Sequence, residues 1–385
     1  MVWNEVCPLT EKMRFIAAWH EKEQNMTQLC QQFNISRKTG YKLIARYEEE
    51  NIEGLKDRSR TPHNHPEQID DLIVQIILKT KRRYPKWGPQ KIKDWLDTEK
   101  SNQYWPAAST IGKIFKRNGL VEPRKRRHRT PLYTKPFINC VAPNMVWSAD
   151  YKGQFQLGLG GKYCYPLTIS DNYSRYLLGC KALYSTGIKE TKQHFERVFK
   201  EHGLPTAIKT DNGKPFGSPG LGGLTQLTVW WIRLGIIPER IKPGHPEQNG
   251  RHERMHKTLK ESTAKPPYLT LEQQQRAFNR FKKEYNYDRP HAALNKKRPA
   301  DLYTCSQKMY PKKIAQLEYD YNQVVRKVGR SGEISWKGRR IFLSESLRGE
   351  YIALKEINDD IWQVYFSTMK LAALDYQKGK IIHPD

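Results

Sequence analysis

The chain has 385 residues, too many for one ordinary domain at about 150 residues each, so two to four units are expected. Its 67 Lys and Arg against 40 Asp and Glu leave a formal charge of +27 and a pI near 9.7, an excess that calls for a polyanionic partner, nucleic acid ahead of an acidic membrane surface. There is no apolar run of about eighteen residues, no basic-then-apolar start between Met1 and Glu11, and no CxxC pair among the six scattered cysteines. Membrane-spanning, secreted and zinc-finger classes are therefore set aside, and a soluble, intracellular chain with reduced thiols is expected.

From Thr10 to Glu50 the pattern predicts helix, helix, short turn, helix. Thr10 can cap the first, on which Ile16, Ala17 and Trp19 are apolar; the second holds Leu29 and Phe33. The chain turns at Asn34-Ile35, Ser36 is a good N-cap, and the next helix runs to Glu48 with Tyr41 and Ile44 facing inward. This is a helix-turn-helix arrangement over residues 1–53. Its last helix offers Arg37, Lys38, Thr39 and Lys42 near the N-terminal end, which meets base edges and phosphates when such a helix lies in a major groove. A plain three-helix bundle with a solvated basic face fits the same pattern.

Residues 54–66 are polar, basic and twice interrupted by proline, a linker in which His63 and His65 lack partners at metal-ligand spacing. A second helix-turn-helix unit is predicted over 67–122. Its first helix, Gln68 to Lys81, carries Ile69, Leu72, Ile73, Ile76 and Ile77; a second spans Pro89 to Leu96, and a third runs from an N-cap at Ser109 to Asn118, stopped by Gly119. The basic linker 123–135 follows. Its Arg124, Lys125, Arg126, Arg127 and Arg129 would gain by counterion release over DNA, or serve as a solvated tether.

From Pro136 the character becomes mixed, with strand runs Met145 to Phe155, Lys162 to Ser170 and Tyr176 to Ala182. A helix (Thr191 to His202), a strand (Ala207 to Thr210) and helices Leu224 to Gly235 and Asn249 to Lys260 complete an α/β or α+β core over 136–305. Beyond Gln316 short strands at 334–336, 340–343, 351–354 and 361–366 predict a small β-barrel over 316–385.

Asp150 ends the run VWSAD and Asp211 follows the strand AIKT, so both carboxylates sit near strand ends, rigidly held and accessible. Asp-Asn-Gly is also ordinary turn chemistry. On the helix that follows, Lys257 and Lys260 lie roughly 40° and 20° from Glu253, while Met255 and Leu259 lie roughly 200° and 240° around. One face therefore packs inward and the opposite face joins a carboxylate to two ammonium groups, a cation ligand beside phosphate grips; on an arbitrary helix the same spacing is a surface ion pair. Three carboxylates from two strand ends and a helix are what two-metal phosphoryl transfer requires.

With WSADYKG (147–153), TDNG (210–213), HPEQNGRHERMHKTLK (245–260) and YNYDRPHAAL (285–294), the chain resembles the insertion-sequence transposases and retroviral-type integrases, whose catalytic domain is RNase H-like. The resemblance implies that Asp150, Asp211 and Glu253 are the catalytic DDE metal ligands and that Lys257 and Lys260 bind DNA ends. It implies two ions per active site, Mg²⁺ with Mn²⁺ as substitute. The fold class follows as multidomain: all-α helix-turn-helix units, an α/β RNase H-like core and a small C-terminal β-barrel.

The implied activity is binding of terminal inverted repeats, 3′-end cleavage and strand transfer, by a homo-oligomer, a dimer on paired ends, with transposon ends and target DNA as double-stranded partners and no membrane. A bacterial, cytoplasmic, nucleoid-associated protein follows. A sequence-specific DNA-binding regulator with an inactive integrase-like core is the competing expectation, and a nuclease that does not join strands is another. One departure stands out: Glu253 follows Asp211 by 42 positions, whereas Glu247, at 36, fits the family's common spacing better. The Gly/Pro-rich stretch 217–223 is expected to account for this as an enlarged flexible loop beside the site. Tyr285 and Tyr287 are expected to pack on the core, with Arg289 and His291 capping a helix end, a mainly structural role that leaves room for some DNA contact.

Overall fold

The computed structural model describes residues 8–57, 69–121, 140–158, 160–241, 250–358 and 360–382. Contacts divide the chain into two compact units, residues 1–69 and 70–385. The five basic residues of 124–129, His63, His65 and Glu247 lie outside the described residues.

In the first unit α1 (Pro8–Glu21), α2 (Met26–Gln32) and α3 (Arg37–Gly54) close on Phe15, Ile16, Leu29, Cys30, Leu43, Ile44 and Leu55. Asn25 and Gln28 form a reciprocal capping box at the start of α2. The Ser36 side chain accepts the Thr39 N–H at 3.2 Å, as the sequence predicts. A Cβ on Gly40 would come within 2.7 Å of Cys30 Sγ, so only glycine lets α3 pass this close to α2. Two expectations change. Helix α1 begins at Pro8, leaving Thr10 inside it. Tyr41 is 59% exposed, because the inward stripe is Gly40, Leu43 and Ile44 and position 41 stands about 100° off it. Arg37, Lys38, Thr39 and Lys42 are exposed.

The second unit opens with α4 (Asp71–Arg83), α5 (Pro89–Glu99) and α6 (Ala108–Arg117), around buried Ile77, Trp87, Ile92, Leu96, Trp105, Ile111 and Phe115. Helix α6 starts at Ala108, so Ser109 is not its cap. Gly119, at φ +67°, lies in the left-handed region where glycine ends a helix without strain.

The core sheet holds β1 (Val146–Tyr151), β2 (Phe155–Gln156), β3 (Tyr163–Asp171) and β4 (Leu177–Leu183). Helix α7 (Ile188–His202), β5 (Ala207–Thr210), α8 (Gln226–Arg233), β6 (Ile237–Arg240), α9 (Gly250–Thr263) and α10 (Leu271–Lys283) follow. The strands lie in the order β4, β3, β1, β5, β6, with β2 pairing the first residues of β3. The pairs β4–β3 and β3–β1 are antiparallel; β1–β5 and β5–β6 are parallel. On one face Trp147, Ala149, Leu167, Ile169 and Ile208 meet α7 and α8; on the other Cys164, Leu177, Cys180 and Ala182 meet Met255 and Leu259 of α9 and Phe278 and Phe281 of α10. Strand β6 and helix α10 were not anticipated. Pro238 disguises β6, a sheet-edge strand where proline is tolerated.

The segment after α10 fastens α4 to α6 onto this core. The Trp87 indole N–H donates to Glu284 at 2.9 Å, Lys91 Nζ donates to the Pro290 carbonyl at 2.9 Å, and Arg298 and Lys296 pair with Glu99 and Asp94 at 2.7 and 3.0 Å. Glu284–Asp288 forms a π-helical turn in which the buried Asn286 side chain completes the backbone hydrogen bonds of Leu177. Tyr285 is buried between Phe281 and His291, as expected, whereas Tyr287 is half exposed and meets the core through Tyr176, their hydroxyls 2.9 Å apart.

The C-terminal strands are β7 (Val324–Lys327), β8 (Glu333–Trp336), β9 (Arg339–Phe342), β10 (Tyr351–Glu356), β11 (Ile361–Phe366), β12 (Met369–Asp375) and β13 (Lys380–Ile382). They do not close the barrel that the sequence suggested. Five form an antiparallel sheet ordered β13, β12, β11, β10, β7, and β8–β9 is a separate hairpin. The sheet has no need to curl onto itself, because its apolar side is filled from outside by Leu221, Leu224, Val229 and Ile232. Those residues come from the glycine-rich stretch and α8, whose other side, Leu227, Trp230 and Trp231, packs on the core sheet. Stretch 217–223 is thus a packed connector: Leu221 is buried, the Gly223 carbonyl accepts from the Arg240 guanidinium, and the Gly223 N–H donates to the Gly220 carbonyl.

Candidate active site

The packing alternation assigns a side to every residue near the strand ends. Since Trp147, Ala149 and Ile208 face α7 and α8, residues Ser148, Asp150 and Lys209 face the α9 side, and Asp211 follows at the end of β5. Parallel pairing of β1 with β5 matches Val146 with Ala207 and Ser148 with Lys209, and Asp150 and Asp211 each lie two residues beyond that last pair, toward the same end of the sheet. Thr168, cross-strand partner of Asp150, and Ser170 share this face. The result is a polar patch on an otherwise apolar sheet surface.

Helix α9 lies over that patch with two buried histidines. His252 Nε2 and His256 Nε2 approach the same Thr168 hydroxyl at 2.7 and 2.6 Å, His252 Nδ1 meets Ser170 Oγ at 3.1 Å, and His256 Nδ1 stands 3.7 Å from Asp150 Oδ2. Among the described residues, Asp150, His252 and His256 form a group whose potential ligand atoms all lie within 4.8 Å of one another; Asp211 and Glu253 stand outside it. Glu253 is exposed, one residue from His252, on the flank of α9 that also carries Lys257 and Lys260, and Met255 and Leu259 are buried on the other side as the helix geometry predicts. The donor set of oxygen and ring-nitrogen atoms suits a divalent ion.

Burial sets the electrostatics. It raises the Asp211 carboxyl, against a lowering contact from the Gly213 N–H. It drives His252 down to about 3, and lowers His256 well below its ordinary value, helped by the neighbouring His252 and by Lys152. Both rings are neutral at pH 7. Lys209 is likewise lowered by burial, opposed by Glu239.

The histidines escaped the sequence reading, which assigned the inward face of this helix to Met255 and Leu259 alone. The signal was there: 252, 255, 256 and 259 make one unbroken helical stripe, and two histidines in it require polar partners on the opposing strand.

Residues 141–246 and 234–299 match the integrase core domain family. Residues 11–63 match a helix-turn-helix domain, 39–115 a homeodomain-like domain, and 323–382 the C-terminal domain of IS481 family transposases. An uncharacterized 31.7 kDa protein of insertion element IS407 from Burkholderia multivorans is 20% identical over 279 residues, 72% of this chain and 94% of its own length. A 39.2 kDa protein of insertion element IS476 from Xanthomonas euvesicatoria is 22% identical over 255 residues, 64% of this chain and 70% of its own. Among solved structures, the catalytic core domain of HTLV-2 integrase in complex with magnesium aligns at 18% identity and a TM-score of 0.34, covering 43% of this chain and 99% of that one.

Proposed function

We propose that this chain, which carries the helix-turn-helix, integrase-core and IS481-type C-terminal domains of the insertion-sequence transposases, binds the terminal inverted repeats of its element, cleaves their 3′ ends and joins them to target DNA. The observation that supports the reading is that Asp150 lies near the end of β1, Asp211 directly follows β5, the parallel neighbour of β1, and Glu253 lies in the first turn of α9. Asp150, Asp211 and Glu253 would hold two divalent ions, Mg²⁺ or Mn²⁺. When bound, such ions activate an attacking water or 3′-hydroxyl and stabilise the leaving oxygen.

The chain's own residues do the rest. Strands β1 and β5 fix the spacing of the two aspartates, and the hydroxyls of Thr168 and Ser170 pin α9 through His252 and His256. Lys257 and Lys260, on the Glu253 flank, grip the phosphates beside the scissile bond. Arg37, Lys38, Thr39 and Lys42 on α3 read and hold the terminal repeat, and two copies pair the element's ends. The test is nicking and joining of end-containing duplex in Mg²⁺: Asp150→Asn and Glu253→Gln each lower product by about a thousandfold or more while leaving end binding intact. Equal nicking by all three proteins would support a DNA-binding regulator instead, and cleaved but never joined ends a nuclease.

A further inference from the structure

We infer that His256 contributes a ring nitrogen, Nδ1, as a direct ligand to a divalent ion held by Asp150, so that this centre has a mixed nitrogen and oxygen set. The inference rests on the reading of Asp150 as an ion ligand, and it follows from counting protons. The Thr168 hydroxyl lies 3.1 Å from the backbone carbonyl of Asp150 and can place its single proton there. In that arrangement its oxygen accepts from both imidazoles and each ring carries its proton on Nε2, the tautomer that an ion on Asp150 would select. In a neutral ring the other nitrogen is a bare lone pair. That of His252 accepts from Ser170 Oγ at 3.1 Å. That of His256 faces Asp150 Oδ2 at 3.7 Å, too far for a hydrogen bond, so two electron-rich atoms point toward the space between them.

A cation relieves that opposition. Legs of about 2.1 Å to nitrogen and oxygen bridge such a gap at an angle of about 120°. His252, with both nitrogens engaged by hydroxyls, orients its neighbour and does not ligate. Imidazole favours transition ions over Mg²⁺, so His256 tilts the site toward Mn²⁺.

Pulsed electron paramagnetic resonance on the full chain, with Mn²⁺ alone as probe, reads a directly bound nitrogen as ¹⁴N modulation of the spin echo. The expected result is ¹⁴N modulation in the wild type, kept in His252→Gln and lost in His256→Gln, with Mn²⁺ affinity about tenfold weaker in the latter by calorimetry and Mg²⁺ affinity changed less than about threefold. Mn²⁺ bound to wild type without ¹⁴N modulation, or modulation that survives His256→Gln, overturns the assignment and leaves the carboxylate reading standing. Failure of the wild type to bind Mn²⁺ at all overturns both. Absence of ¹⁴N modulation in the wild type overturns the assignment without reference to how well any variant folds.

Discussion

Residues 8–57 and 71–117 look alike in the sequence, each a trio of short helices with basic residues on its surface, yet they are stabilised in different ways. The first closes on seven buried residues of its own. The second leans on a turn about two hundred positions away, through Trp87 and Glu284, Lys91 and Pro290, Arg298 and Glu99, Lys296 and Asp94. Small helical units bury a modest share of their surface, and a unit can compensate either by tight internal crossing, as at Gly40, or by joining a larger neighbour. The second choice also fixes its placement on the core that holds the sheet β1 to β6.

Substitutions can break this contrast. The largest effect is expected from Trp87→Ala, which removes a fully buried ring stacked on Tyr84 at 4.0 Å and strips Glu284 of its donor. A loss of about 3–5 kcal/mol is expected, seen by hydrogen exchange as lost protection in α4 to α6 and in 284–288, with α1 to α3 unchanged. Gly40→Val should cost about 1–3 kcal/mol by overpacking against Cys30 and Phe15, confined to α1 to α3. Should either loss spread across both units, the contrast is wrong.

The smallest effect is one of pH. Burial raises the Glu284 carboxyl above its ordinary 4.5, more than Trp87 and Arg289 lower it. The folded chain thus takes up the proton more readily than the unfolded one. This contribution to stability is full below pH 4.5 and fades as pH rises through the raised value. Glu284→Gln, neutral at every pH, should flatten that slope in thermal melts compared across pH; an unchanged slope would show that Glu284 does not sense the joint.

What could be read from the chain alone depended on the range of the interaction. Local chemistry was legible: Ser36 capping α3, Gly119 ending α6, the inward Met255 and Leu259 of α9 and the strand-end positions of Asp150 and Asp211 all follow from nearest neighbours. Helix α10 could have been found too, since Thr270 and Gln273 spell a capping box, but its few apolar residues hid it among glutamines and arginines. The histidine pair on Thr168 and the indole on Glu284 join residues 84 to 197 positions apart, and nothing local announces such a meeting. The unclosed C-terminal sheet is a case of the same kind, because Leu221 of the glycine-rich stretch and Leu224, Val229 and Ile232 in and before α8, which fill it, lie far away in the chain.

That stretch has a further consequence. It begins a few residues after Asp211 and ends in α8, and along the way Leu221 and Leu224 are seated among Ile352, Leu354, Val364 and Leu371. Cutting the polypeptide before Val324 would leave those leucines, with Val229 and Ile232, uncovered in water, a greasy scar on the half that remains. A shortened version should precipitate or grip chaperones, and idleness in such a preparation would report on solubility before it reported on chemistry.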